Sequence, residues 1–520
     1  MGHRSQLSFA QEPDAPFRFQ ERRAGVLLPV SSLSSRGPIG DLDGATEFID
    51  WLVEAGMGIW QILPLGPTDI YGSPYSTWST LSGSPDFVGV QWCIDGGLLP
   101  ASTPLETTAE VDYEETLARK RPLILKAARG LLDDPGHPWT AALAAFVEAA
   151  PWATDAALYY ALSCAHDGAP WWTWPEPIRR REPAAVARAF VEHEPQIETW
   201  RAALFLFERQ WSEVQRYAGS LDVQIVGDMP IYVGAQSVDV WMHQGLFELA
   251  PSGQPERVAG VPPDAYSETG QLWGNPLFDW EACAREDYAW WIERTARSLE
   301  LCDALRVDHF IGFTRYWAVE SGSVDATKGT WNPGPGRPVF DALTRALGGL
   351  ALIAEDLGLV DDATLALRDE LGLPGMRVIQ FGLGPDAEAT HHVDAHVPFS
   401  VVYTGTHDSP TVRGWWERLT PQAQRQVDLG EVSEEVVNAA IELALRSRSF
   451  WSVIPAQDLL GLGDEARMNQ PGTLGGNWVW RLPQGAMTSE LARSIRSRLS
   501  ATGRLNVRGT SAADADEGPV

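Results

Sequence analysis

Cysteine, lysine and long apolar runs are all scarce in this sequence. Its four cysteines, Cys93, Cys164, Cys283 and Cys302, are spread over 520 residues with no C-x-x-C pair. That spacing removes a disulfide framework and a thiolate zinc site from consideration and makes a reducing cytoplasm the expected compartment. No stretch approaches the roughly 18 uninterrupted apolar residues of a membrane span, and the opening "MGHRSQLSFAQEPDAPFRFQERR" lacks the hydrophobic centre of a signal peptide. A soluble protein with no membrane partner is expected. Neither a Walker A loop nor a G-x-S-x-G elbow occurs. Only three lysines (Lys120, Lys126, Lys328) are found among 40 basic residues, against 69 acidic ones, for a net charge of −29. Phosphates would be repelled over most of such a surface, which excludes nucleic acid as a partner and favours a neutral ligand. Arginine in place of lysine with an acid excess resembles proteins of salt-rich cytoplasm; a GC-rich genome explains the arginine equally.

What the chain does have is tryptophan, 23 copies, several in clusters such as "WWTW" at 171–174. Most belong in a core, because indole buries a large apolar area, while some offer flat faces that suit the C–H faces of sugar rings. Short β-branched runs recur at 24–30, 58–65, 223–233, 304–310, 350–358, 375–381 and 401–408. Near-continuous apolar runs fit parallel strands buried on both faces. Helical spacing in "ATEFIDWLVEAG" and "DATLALRDELG" falls between them, so the pattern is α/β. Residues 71–220 read as a large, mostly helical insertion and 234–280 as a loop-rich one within a catalytic unit at 24–500. Residues 1–23 form an N-terminal segment, and 501–520 an acidic, disordered tail.

Polar residues appear where the buried runs stop: Asp228 in "VGDMP", Arg306, Asp308 and His309 in "RVDHF", Glu355 and Asp356 in "AEDLG", His407 and Asp408 in "GTHD". In a (β/α)8 barrel the carboxyl ends of all strands meet on one face, so these acids from four strands would converge. Arg306 and Asp308, two apart on a strand, share a side, and the guanidinium is expected to hold Asp308 ionised with a lowered pKa. Glu355, emerging from an apolar run, suits a protonated acid. Carboxyls of opposed protonation are what glycoside cleavage needs, with retention at a separation of roughly 5–5.5 Å. Taken singly, R-x-D is commonly a structural ion pair, and "AEDLG" could open a helix. "HHVDAH" (391–396) raises a metal site without further ligands to support it, and "GLGDEA" (461–466) imitates a dinucleotide fingerprint outside any βαβ context. No metal and no cofactor is expected.

Ordered blocks from about 24 to 482 resemble the 4-α-glucanotransferases, or amylomaltases. They include "AGVLLPVSSL", "WQILPLGPT", "GSPYS", "GDMPIYV", "TGQLWGNPLFDW", "ALRVDHFIGF", "IAEDLG", "YTGTHD" and "GLGDEARMNQPGT". The resemblance implies a (β/α)8 barrel with inserted, mostly helical subdomains and no separate C-terminal β-domain. It implies Asp308 as nucleophile, Glu355 as acid/base and Asp408 as a third carboxylate, with Arg306, His309 and His407 in the same subsite. Ser73, Tyr75, Asp228, Gln271, Trp273 and Asn469 would contact glucan, and the 250–260 stretch would be a mobile loop over the cleft. The implied partners are an α-1,4-glucan donor and a glucose or maltooligosaccharide acceptor. The alternatives are an α-amylase-like hydrolase and an inactive glucan-binding protein. Ile311, Ser409 and the "GSP" at 83–85 depart from the family's usual residues.

Overall fold

The computed structural model describes residue 19 and residues 21–263, 267–427, 429, 433–473 and 475–507. Twelve strands follow in chain order: β1 (Arg23–Leu27), β2 (Ile59–Gln61), β3 (Gln224–Met229), β4 (Arg257–Val261), β5 (Gln271–Pro276), β6 (Ala304–Val307), β7 (Arg315–Glu320), β8 (Gly329–Pro333), β9 (Leu352–Ala354), β10 (Gly375–Val378), β11 (Ser400–Tyr403) and β12 (Trp451–Pro455). Eight of them, β1, β2, β3, β6, β9, β10, β11 and β12, close into a parallel barrel. Their residues are buried almost throughout, as continuous apolar runs require when side chains fill the barrel on one face and meet helices on the other. At Gly25 the strands come too close for a side chain: a Cβ there would lie 2.2 Å from the Ile59 carbonyl oxygen.

Seven of the barrel strands coincide with the apolar runs. The eighth, β12 ("WSVIP"), gives no such signal, because a serine interrupts it and the helix Ala456–Leu459 begins at once, without a polar stop. The expected helices are present at Ala45–Ala55, ended by a left-handed Gly56, and at Asp362–Glu370, capped by Asp361. Between β10 and β11 the usual helix is replaced by the 3-10 turns Ile379–Gly382, Ala389–His391 and Val393–Ala395.

Those turns absorb "HHVDAH". His391 Nδ1 accepts the Val378 N–H (3.0 Å), and His396 bridges the Ser447 hydroxyl (2.8 Å) and the His391 carbonyl (2.9 Å), so both rings tie the helix-less segment to the barrel. "GLGDEA" lies after β12 in the loop leading to the 3-10 turn Asp464–Ala466, with no βαβ unit around it.

The long insertion is helical, with Arg121–Asp133 and Pro151–Ala165 packed on Glu194–Ser220. This last helix also serves the barrel: Trp211 near its end donates from Nε1 to the Leu301 carbonyl (3.0 Å). The insertion is pinned to the loop after β1 by a fully buried ion pair, Lys120 Nζ to Asp41 (2.5 Å). Four of its tryptophans, Trp171, Trp174, Trp200 and Trp211, are core, and others, such as Trp92 and Trp172, are half-buried against it. The 234–280 stretch differs from the loop expected there. It contributes β4 and β5, which join β7 and β8 from the loop after β6 in an antiparallel sheet of order β5-β4-β7-β8. Within 250–260 only the turn before Arg257 is loop, and Gly253 packs against Trp171. Its glycines and prolines masked the pair β4 and β5, and the partner β7 of β4 lies some 60 residues on.

The expected tail at 501–520 is likewise narrower. The helix Ser489–Thr502 continues into a packed turn, and Arg504 is wholly buried; residues 508–520 lie outside the described residues, as do 1–18. Arg504 donates to the carbonyls of Leu445 (2.7 Å), Arg23 (3.0 Å), Phe450 (2.7 Å), Ser447 (2.9 Å) and Ser449 (2.7 Å), at the entry to the seam where β1 pairs with β12. Burial without a carboxylate partner lowers its pKa to about 9. Arg504→Ala should cost about 3 kcal/mol or more, since several buried carbonyls lose their donor at once. The exposed Arg493→Ala should stay within about 0.5 kcal/mol, and chemical denaturation of both variants checks the contrast.

Candidate active site

The barrel register itself assembles the first charges. β3 and β6 pair with Asp228 opposite Arg306, so the guanidinium reaches across one strand to both Asp228 oxygens (2.9 and 2.7 Å) and along its own strand to Asp308 Oδ1 (3.1 Å). Arg306 is 3% exposed, and its charge is held firmly by these acids. Asp308 and Glu355 stand directly beyond the ends of β6 and β9.

Between them runs a backbone bridge. His309 takes a left-handed conformation (φ 49°, ψ 52°), which turns its N–H toward Glu355 Oε2 at 2.5 Å. Phe310 N–H donates to the Glu355 carbonyl (3.2 Å) and Glu355 N–H to the Val307 carbonyl (3.1 Å), so the two strand ends are laced together. Asp356 anchors the same corner from outside: its carboxylate accepts the Met376 N–H at 2.6 Å and pairs with Arg368.

Asp408 enters on the loop after β11. Its Oδ1 accepts from Asn469 Nδ2 (2.5 Å), its Oδ2 lies 3.2 Å from His407 Nε2, and Arg467 Nη2 donates to its carbonyl (2.7 Å). The Tyr75 hydroxyl donates to Asp228 Oδ2 (2.7 Å) and meets His407 Nε2 (2.7 Å), which links the acids of β3 and β11 through one phenol. Tyr75 and His407 are stacked at 5.5 Å. Trp478 backs both rings at 5.8 and 6.0 Å, in a left-handed conformation (φ 65°) that costs about 1–3 kcal/mol and is held by bonds to Met468 and Tyr113. Trp273, on the small sheet, meets the His309 ring edge-on at 4.8 Å.

Eight of the expected site residues (Tyr75, Asp228, Arg306, Asp308, Glu355, His407, Asp408 and Asn469) join this network through side chains, and His309 joins through its backbone. Ser73 and Gln271 sit one step out: Ser73 Oγ accepts the Tyr75 N–H (3.4 Å) and Gln271 Oε1 accepts from Trp273 Nε1 (3.1 Å). Asn469 binds Asp408 directly. Arg467 and Trp478 were not singled out from the sequence, although both lie in the last barrel loop beside Asn469, where "ARMN" and "WVW" carried the signal. Ile311 is buried in the turn after His309, and Ser409 caps its own loop through Thr406.

The electrostatics reverse one expectation. Burial in the cleft pushes the Asp308 carboxyl up to about 6, outweighing Arg306, where the guanidinium alone would have lowered it. Burial and the neighbouring negative charge of Asp308 hold Glu355 well above the usual carboxylate range. Burial also opposes the charge on Asp408, yet His407, Asn469 and Arg306 outweigh it and hold that acid well below the usual range. His309 is lowered by burial to about 4 and is neutral near pH 7. The three acids of the barrel mouth are therefore set apart: Asp408 ionises most readily, Asp308 next, and Glu355 holds its proton longest.

Carboxyls of opposed protonation at the mouth of a (β/α)8 barrel define a class, the enzymes that break and remake glycosidic bonds. Within that class the chain belongs to the 4-alpha-glucanotransferase family, whose model matches residues 28–488. It is 42% identical over 502 residues to the chloroplastic/amyloplastic 4-alpha-glucanotransferase of Solanum tuberosum, covering 93% of this chain and 87% of that one. It is 40% identical over 497 residues to the 4-alpha-glucanotransferase of Thermus thermophilus, covering 93% and 99%. The amylomaltase of Streptococcus agalactiae in complex with acarbose superposes with a TM-score of 0.88 at 32% identity, over 94% of this chain and 100% of that one. Glucan transfer is thus the activity, in place of hydrolysis or silent binding. No helix among the described residues is long and apolar enough to cross a membrane.

For this ordering kcat/KM should rise through about pH 6, as Asp308 loses its proton, and fall at higher pH, where Glu355 loses its own. A pH–rate profile with its acid limb near pH 4, the ordinary aspartate value of about 3.9, would show that burial does not govern Asp308.

Proposed function

We propose that the chain transfers α-1,4-glucan segments to glucose or maltooligosaccharide acceptors by retaining double displacement, with Asp308 as nucleophile and Glu355 as acid/base. The observation that carries this reading is the opposed protonation of two carboxyls joined through the His309 backbone. Because Glu355 Oε2 accepts the His309 N–H, its proton belongs on Oε1, the oxygen left free for the substrate. That proton passes to the glycosidic oxygen while an Asp308 oxygen bonds to C1 and the C1–O bond breaks. The leaving glucan departs with its hydroxyl restored, and a β-linked glycosyl ester remains on Asp308. The 4-hydroxyl of an acceptor then gives its proton to Glu355, attacks C1 and displaces Asp308, restoring the α-linkage.

Arg306 keeps Asp308 oriented between Asp228 and the cleft. Asp408, ionised and gripped by His407 and Asn469, accepts hydroxyls of the sugar whose ring must flatten toward the oxocarbenium-like transition state. Trp273, edge-on to His309, walls the acceptor side, where a bound sugar excludes water.

Asp308→Asn should lower transfer about 1,000-fold or more with little change in thermal midpoint, because it removes the nucleophile and keeps the volume. Maltotriose disproportionation by wild type should give glucose with longer maltooligosaccharides. A variant holding more than about a tenth of the wild-type rate would remove Asp308 from the role.

A further inference from the structure

Asp458 takes no part in the reaction as drawn, yet it is a carboxylate only 1% exposed in a barrel core. It lies on the short helix Ala456–Leu459 directly after β12. Its two oxygens are divided between two points of a neighbouring loop: Oδ2 accepts the Thr404 hydroxyl at 2.6 Å and Oδ1 accepts the Val412 N–H at 2.8 Å. Thr404 is the first residue beyond β11 and Val412 the first of the helix Val412–Arg418. One carboxylate therefore closes both ends of the segment that carries His407 and Asp408.

A small cavity lies under that segment, lined by Thr406, His407, Ser409, Asp458, Arg467 and Met468. The segment's height over the barrel is set by tethers: Gln380 Nε2 donates to the Pro410 carbonyl (2.9 Å) and the Tyr75 hydroxyl meets His407 Nε2 (2.7 Å), and the others come from the segment after β12. Asn469 N–H donates to the His407 carbonyl (3.0 Å), Arg467 to the Asp408 carbonyl (2.7 Å), and Asp464 accepts the Thr411 N–H (3.3 Å). Burial pushes the Asp458 carboxyl up to about 6 against these two hydrogen bonds. A buried acid without a cation is a cost that an amide or an alkyl group would avoid.

We propose that Asp458 is a positioning residue for Asp408: by clasping Thr404 and Val412 it sets where the Asp408 carboxylate meets the sugar being transferred. The proposal rests on the role given to Asp408 in the mechanism. A carboxylate that acts mainly on the transition state must be placed to a fraction of an ångström, and misplacement lowers kcat more than it raises KM.

The test uses Asp458→Asn, and Thr404→Val, which removes one of the two hydrogen bonds with little change of shape and serves where Asp458→Asn fails to fold. Each is made alone and combined with Asp408→Asn. Transfer is measured with maltotriose, and with maltosyl fluoride as an activated donor where rates are low. The single substitutions are expected to lower kcat about 10- to 100-fold with KM within about threefold, and to change the residual kcat of Asp408→Asn by less than about twofold. The same loss in both backgrounds, or a lowered thermal midpoint with wild-type kcat in the singles, overturns the inference while the role of Asp408 stands. A wild-type rate in Asp408→Asn alone overturns that role, and this inference with it.

Discussion

Closure of the barrel is the constraint on which everything else hangs. The ring is sealed between the first and last of the described strands, where Arg23 lies opposite Trp451, and that seam is locked by the five carbonyls gathered by Arg504. Only when it is shut do the ends of β3, β6, β9 and β11 share one rim. The acids they carry are otherwise separated by up to 180 positions, Asp228 to Asp408. The core that holds the ring is apolar and dense with tryptophan, so the rim can spend its polar groups on one another.

At that rim a single guanidinium organises negative charge without neutralising its chemistry. Arg306 is shared between Asp228, which it binds twice, and Asp308, which it touches once. The division matters. Asp228 takes most of the ion pairing and is fixed further by Tyr75, while Asp308 keeps one oxygen outside the pair and carries a pKa raised by its surroundings. Glu355, the Asp308 charge beside it, is pushed higher still. The ordering of the two acids comes from how much water and how much positive charge each can reach, and both quantities are set by strand register.

The legible and the hidden parts of the molecule divide along physical lines. Parallel strands buried on both faces write themselves as apolar runs that stop in charge, so the α/β class and the acids 228, 308, 355 and 408 could be read directly. β12 could not, because "WSVIP" is short and leads straight into a helix. The small sheet stayed hidden because β4, which pairs locally with β5, finds its other partner β7 only across the intervening barrel strand β6, a pairing no local period reports. The sign of the Asp308 shift was misjudged for a related reason. Sequence spacing shows the guanidinium two residues away, but not the desolvation supplied by the rest of the cleft. Asn469 was expected to touch glucan, and its place on Asp408 became visible only with the last loop folded over the rim.

The left-handed turn at His309 carries a consequence for how such an enzyme can change over generations. The two reacting acids come from different strands, yet one peptide N–H and two flanking backbone bonds fix the distance between them. Main-chain hydrogen bonds do not depend on which side chains surround them. Drift in the sugar-contacting residues, such as those of the small sheet, can therefore retune which chain is accepted while the bond-making geometry passes unaltered from ancestor to descendant.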